Sequence, residues 1–145
     1  MSSPPVSGAV AISGEPIDVS AVLASVGSSA RGGTVLFTGQ VRDHDEGKGV
    51  RELEYVAHPT AVRQLEEVVA QVAREFPEVG LAAVHRVGLL TVGDVAVAVA
   101  AGAAHRDEAF RAARLLIDRV KDEVPIWKRQ RFLDGGEEWV GSPSP

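Results

Sequence analysis

The chain has 145 residues, a length that suits one domain, and 45% of them are hydrophobic, so a core can form without disulfide support. Cysteine is absent, which excludes disulfides, thiolate metal sites and a thiol nucleophile, and a reducing, cytoplasmic location is expected. A net charge of −5 and a pI near 5.3 argue against general nucleic-acid binding, and the longest apolar run, residues 95–101, is far too short to cross a membrane.

Residues 1–7 are rich in Ser and Pro and are expected to be disordered, without the basic and apolar regions of a secretory signal. The folded domain is expected over residues 8–140, with a flexible tail at 141–145. Ala9 to Ile12 reads as a short strand and Gly14-Glu15-Pro16 as a turn. Asp18 is placed to cap a short helix reaching Val26. Thr34 to Val41 is a β-rich run and a candidate central strand, followed by a polar, glycine-bearing loop from Arg42 to Gly49. Alternation resumes at Arg51 to Ala57, with Leu53, Tyr55 and Ala57 on one face. A helix opens after His58-Pro59-Thr60, with the stripe Val62, Leu65, Val69, Val72 and Phe76, and Pro77 ends it. Leu81 to Val87 and Asp94 to Ala101 read as strands joined by a loop at 88–93, the second strand apolar on both faces.

The segment Ala103 to Phe132 holds eight of the fifteen Lys and Arg residues against five acids, so it is net +3 while the rest of the chain is −8. A cationic segment within an acidic protein usually faces something anionic. From Arg106 to Val124 the spacing of Phe110, Ala113, Ile117, Val120 and Val124 predicts a helix, with Asp107 and Glu108 in its first turn. Lys121 falls on the border of the apolar stripe, and Pro125 closes the helix. Trp127 to Leu133 and Glu137 to Val140 form a hairpin around Asp134-Gly135-Gly136. The fold class expected is α+β: a single domain with a mostly antiparallel sheet, inserted helices and a C-terminal β-hairpin.

Four ordered blocks carry a family resemblance: FTGQVRDHD at 37–45, AVHRVGLLTVGD at 83–94, AAHRDEAF at 103–110 and DRVKDEVPIWKRQ at 118–130, with Glu138-Trp139-Val140 beyond them. The chain resembles the large, catalytic subunit family of molybdopterin synthase, over roughly residues 8–140. The resemblance implies an enzyme, a sulfurtransferase of molybdenum cofactor biosynthesis. It would move sulfur from a small ubiquitin-like subunit, whose C-terminal Gly-Gly is a thiocarboxylate, onto cyclic pyranopterin monophosphate to form the molybdopterin dithiolene. It also implies a homodimer at the centre of a heterotetramer; no cofactor, nucleic acid or membrane partner is expected.

Carried onto this sequence, the resemblance makes Lys121 and Lys128 catalytic and substrate-binding. Gln40, Val41, Arg42, His105, Arg106, Arg129 and Gln130 are the further candidate substrate contacts, and Phe37 is a candidate pocket wall. A lysine can move a proton, or form an adduct with a carbonyl-like carbon, when its surroundings lower its pKa. An arginine fork suits phosphate oxygens. Taken singly, each residue has a plainer reading. Lys121 reads as a boundary residue reaching to water. Lys128 reads as an edge-strand charge. Arg42 reads as a loop arginine paired with Asp43 or Asp45, His105 as a cap-like residue, and Phe37 as core. Family members often carry Lys in place of Gln40 and Glu in place of Gln130, so this chain keeps hydrogen-bonding capacity there and loses charge. Those two positions favour an alternative, a docking module that keeps the fold without turnover. A phosphate-handling hydrolase ranks lower, since neither paired carboxylates nor a metal-ligand spacing is evident, and no metal site is expected. A sulfurtransferase without a thiol cannot carry sulfur as a persulfide, so its donor must come from elsewhere, and the resemblance places it on the small ubiquitin-like subunit.

Overall fold

The computed structural model describes residues 8–45 and 47–140; the expected disordered N-terminus and flexible tail lie outside the described residues. In chain order the elements are β1 (Val10–Ser13), α1 (Val19–Ala24), β2 (Gly33–Gln40), β3 (His44–Asp45), β4 (Lys48–Ala57), α2 (Ala61–Glu75), β5 (Gly80–Arg86), β6 (Gly88–Thr91), β7 (Val95–Ala103), α3 (Arg106–Glu123), β8 (Ile126–Phe132) and β9 (Glu137–Val140). One sheet has the order β1-β5-β7-β2; the other runs β3-β4-β8-β9, with β6 also paired to β4. Among the described residues only β1 and β5 pair in parallel. The fold is therefore α+β, largely antiparallel, and β8 and β9 close it as a hairpin, as the sequence predicts.

The first sheet is buried on both faces, and strand alternation decides which residue goes where. Leu81 and Ala83 of β5, with Val97, Val99, Ala101 and Ala103 of β7, pack under α2 and α3. Ala82, Val84, Ala98 and Ala100 point the other way, onto Val22 of α1 and Val26 beyond it. α1 begins where Asp18 accepts a hydrogen bond from the Ala21 N–H at 3.1 Å. A Cβ on Gly102 would stand 2.2 Å from the Val26 carbonyl oxygen, so a glycine is what lets the segment after α1 lie against β7.

Both long helices bury a stripe shifted from the expected one. In α2 the buried residues are Ala61, Leu65, Val68, Val69, Val72 and Ala73, and Val62 is exposed. In α3 they are Ala109, Ala112, Ala113, Leu116, Ile117 and Val120, and Phe110 is exposed. Alanine explains the difference. It contributes little to an apolar pattern, yet small residues let a helix sit close to its neighbours, so the seam follows Ala61 and Ala109 rather than the adjacent Val62 and Phe110.

Two segments read as loops contain strands. The 42–49 stretch folds back on itself, with His44 and Asp45 paired to Gly49 and Lys48 and Gly47 at φ 82°. The 88–93 stretch holds β6, between Gly88 and Gly93, both at positive φ. Leu90 of β6 is fully buried against Val41, Val50, Leu53, Ala96 and Phe132, the core that joins the second sheet to the end of the first. A four-residue strand bracketed by glycines shows too little alternation to be told from a turn.

Candidate active site

A cavity of about 410 Å³ opens where the two sheets meet the C-terminal half of α3. Three walls build it, each from a simple periodicity. The first is a row of register partners across the first sheet, Gly39 of β2, Val97 of β7 and His85 of β5, with Phe37 two residues before Gly39. A Cβ on Gly39 would lie 2.9 Å from the Val97 Cγ1, so a glycine here lets the Val97 side chain sit in the wall beside it. The second wall is one face of the second sheet. Leu53 and Tyr55 of β4 stand opposite Gln130 and Lys128 of β8, with Ile126 at the end of the row. The third is one face of the last turns of α3 and the residue beyond it: Ile117, Val120, Lys121 and Val124.

Six of the expected site residues come together here: Phe37, Gln40, Arg42, Lys121, Lys128 and Gln130. Phe37, Gln40, Arg42 and Lys121 are exposed, Lys128 is half-buried and Gln130 is buried. The Gln130 amide Nε2 donates to the Glu138 carboxylate at 3.3 Å, so this side chain is tied to β9. Three of the lining residues are cations, Arg42, Lys121 and Lys128, and among the described residues no carboxylate lines the cavity. In a chain of net charge −5 this concentrates positive potential where a ligand can be enclosed.

Alternation along β8 sorts its basic cluster. Lys128 points into the cavity, while Arg129 and Arg131 take the opposite face. There Arg129 is ion-paired with Glu54 and its guanidinium lies 5.4 Å from the Trp139 ring centre. Arg131 is ion-paired with Glu52 at 2.7 Å. β8 runs between β4 and β9, so Lys128 is not on an edge strand. Val41 is buried in the core around Leu90, and its backbone is bonded to Gly93 and Asp94. Neither Arg129 nor Val41 lines the cavity.

His105 and Arg106 are elsewhere. His105 is the N-cap of α3 and Arg106 its first residue, both exposed and packed beside the start of β2, where a Cβ on Gly33 would be 3.0 Å from the Arg106 backbone nitrogen. Fifteen residues of helix separate Arg106 from Lys121, a rise of about 22 Å. No side chain spans that distance, so this pair does not reach the cavity of its own chain.

Two residues of the site were not singled out as candidates. Tyr55 and His85 meet edge to face, with ring centres 5.0 Å apart and planes at 70°. Burial raises the Tyr55 pKa above its ordinary value. Burial also lowers His85 to about 4, helped by the charge of Lys121 and opposed by a hydrogen bond to the Arg86 carbonyl. His85 is neutral at pH 7. Leu53 and Tyr55 share a face in the sequence pattern, but a histidine at the end of an apolar strand carries no signal of its own.

Comparison with known proteins gives a consistent picture. The family model described as "MoaE protein" matches residues 12–123. The molybdopterin synthase catalytic subunit 1 of Mycobacterium tuberculosis is 45% identical over 128 residues, which is 88% of this chain and 86% of the relative. The crystal structure of molybdopterin synthase from Staphylococcus aureus superposes with a TM-score of 0.84 at 35% identity, covering 90% of this chain and 95% of that one. A complex of subunits 1 and 2 of the molybdopterin-converting factor from Helicobacter pylori is similar in fold, with a TM-score of 0.62 at 18% identity over 79% of this chain and 74% of that one.

Proposed function

The chain belongs to the MoaE protein family, and from that premise we propose that it is the catalytic subunit of a cytoplasmic molybdopterin synthase, transferring sulfur to cyclic pyranopterin monophosphate. The observation that carries the reading is the cavity with three cations and no lining carboxylate among the described residues. Both reactants on this reading are anions: a phosphate-bearing heterocycle and the thiocarboxylate end of a small ubiquitin-like subunit. Lys121 and Arg42, exposed at the mouth, attract both; Lys128 lies deeper, on the row that includes Tyr55.

The chain has no thiol, so the sulfur arrives on the partner. The thiocarboxylate sulfur forms a C–S bond to a carbon of the substrate as a C–O bond of that carbon breaks, the oxygen leaving with a proton as water or staying on the phosphate, and the partner is then held as an acyl thioester. Water then attacks the acyl carbon, leaving a carboxylate on the partner and the sulfur on the substrate. Two such rounds make a dithiolene. Each round needs protons moved and negative charge held, which are the tasks of Lys121 and Lys128. The apolar side chains of Leu53, Val97, Ile117 and Val120 restrict water around them.

The remote His105–Arg106 pair enters this account through a second copy of the chain. In a homodimer it would complete the partner's site, adding phosphate donors at a helix N-terminus. Small subunits at the two ends would make the heterotetramer.

Titration with cyclic pyranopterin monophosphate tests the binding half of this proposal. The parent is expected to bind it, and Lys128→Ala to bind it at least tenfold more weakly. Absence of binding by the parent, folded and at micromolar concentration, would overturn the reading.

A further inference from the structure

The sulfur-transfer reading assigns no task to His85, although it lines the cavity beside Tyr55. The ring is held from two sides. Its Nδ1 lies 2.7 Å from the Arg86 carbonyl oxygen, and a carbonyl only accepts, so Nδ1 carries the proton. The edge-to-face contact with Tyr55 sets the ring plane. In the neutral ring the lone pair is then on Nε2, which has no hydrogen-bond partner among the described residues. A row of small neighbours leaves it room: Val97 and then Gly39 follow His85 across the sheet.

The cavity therefore offers two opposite kinds of recognition. Arg42, Lys121 and Lys128 suit an anion. A fixed lone pair repels phosphate oxygens and accepts only from an N–H or O–H. On the reading given under Proposed function, we infer that His85 is a substrate-binding residue whose Nε2 accepts a hydrogen bond from a ring N–H of the pterin, turning the heterocycle toward β5 and the phosphate toward the cations. The assignment makes His85 a selector for heterocycles with a donor edge, and it fixes which end of the substrate each lysine meets. The neutral state it needs is the one that burial and the Lys121 charge maintain.

The test compares binding of two probes, cyclic pyranopterin monophosphate directly and inorganic phosphate by competition. The full chain is used as the parent and as the variants His85→Phe, His85→Gln and His85→Asn. Phe keeps a ring and loses the acceptor. Gln can place its amide oxygen near the Nε2 position, whereas the shorter Asn reaches only the Nδ1 position. The expected result is a loss of about tenfold in pterin affinity for Phe and Asn, recovery in Gln, and phosphate competition unchanged within twofold throughout. Pterin affinity that is equal in all variants overturns the assignment, as does a parallel loss of phosphate affinity. If His85→Phe does not fold, the contrast between Gln and Asn decides alone. A parent that binds no pterin overturns the functional reading and this inference with it. A parent that binds pterin, with His85→Asn equal to it, overturns the inference only.

Discussion

Protonating His85 should cost the fold a definite amount, and the cost can be isolated. The ring is neutral in the folded protein with a pKa of about 4, against an ordinary value near 6.5 in the unfolded chain. Between those two pH values the unfolded state binds the extra proton, so stability falls as pH drops below about 6.5 and the loss levels off near pH 4. At 1.36 kcal/mol per pKa unit the full effect is about 3 kcal/mol. That is a large part of the 5–15 kcal/mol typical of a domain. The other ionisable groups facing His85 across the cavity are Tyr55, Arg42, Lys121 and Lys128, and all four are present in both proteins of the comparison that follows. Urea unfolding of the parent and of His85→Phe, every half unit from pH 7.5 to pH 4, gives the difference curve in which other titrations cancel. The difference should be flat above pH 7 and should then swing toward the Phe variant by about 3 kcal/mol at pH 4. A difference that stays flat to pH 4 would show that the folded protein protonates His85 as easily as the unfolded chain does. The held, neutral acceptor would then not exist.

Other consequences are equally direct. Mixed dimers of Lys121→Ala and Arg106→Ala chains should each contain one intact site, so random reassortment should restore about a quarter of the parent activity from two inactive preparations; no recovery on mixing would place Arg106 in the same site as its own Lys121 or outside it altogether. Gly102→Ala puts a methyl group into the Val26 carbonyl and should lower stability by about 2 kcal/mol or more, read as a fall in Tm; an unchanged Tm would contradict the close approach. Lys121→Ala should change unfolding free energy by less than about 0.5 kcal/mol, whereas Leu116→Ala, fully buried on the same helix, should cost about 2–5 kcal/mol; similar losses would make Lys121 a structural residue.

Much of this arrangement is legible in the sequence, for physical reasons that differ by element. α3 is strongly periodic and stops just before Pro125, so its position and the border placement of Lys121 follow from spacing alone. β8 and β9 bracket Asp134-Gly135-Gly136, and the hairpin follows from turn chemistry. The grouping of Phe37, Gln40 and Arg42 with Lys121 and Lys128 is different in kind. No local pattern predicts it, and it came from the family blocks, because segments about 80 residues apart are joined only by sheet register.

The misses have local causes. Phe110 and Val62 are large enough to be taken for core, yet alanines beside them form the seams. Arg129 could not be separated from Lys128 until strand alternation placed it on the opposite face with Glu54. His85 has no local pattern to mark it, whereas what singles it out is a carbonyl held at Nδ1 and a place in the cavity wall. The grouping of His105 and Arg106 with Arg42 leaves open which chain supplies each residue, and the length of α3 separates the pair from Lys121 within one chain.

The central claim is that the cationic cavity is where sulfur is transferred and that Lys121 is required for it. The most direct measurement is a single-turnover reaction of purified protein with cyclic pyranopterin monophosphate and a thiocarboxylated small subunit. The dithiolene product is quantified for the parent and for Lys121→Ala at matched folded concentration. Product from the parent, and a loss of at least a hundredfold with the variant, is the outcome this account predicts. Equal product from both would remove Lys121 from the chemistry. A parent that binds both reactants and yields no product, with a small subunit proven active elsewhere, would contradict the enzymatic reading and leave a docking protein whose neutral Gln40 and Gln130 would then be the first residues to restore to charge.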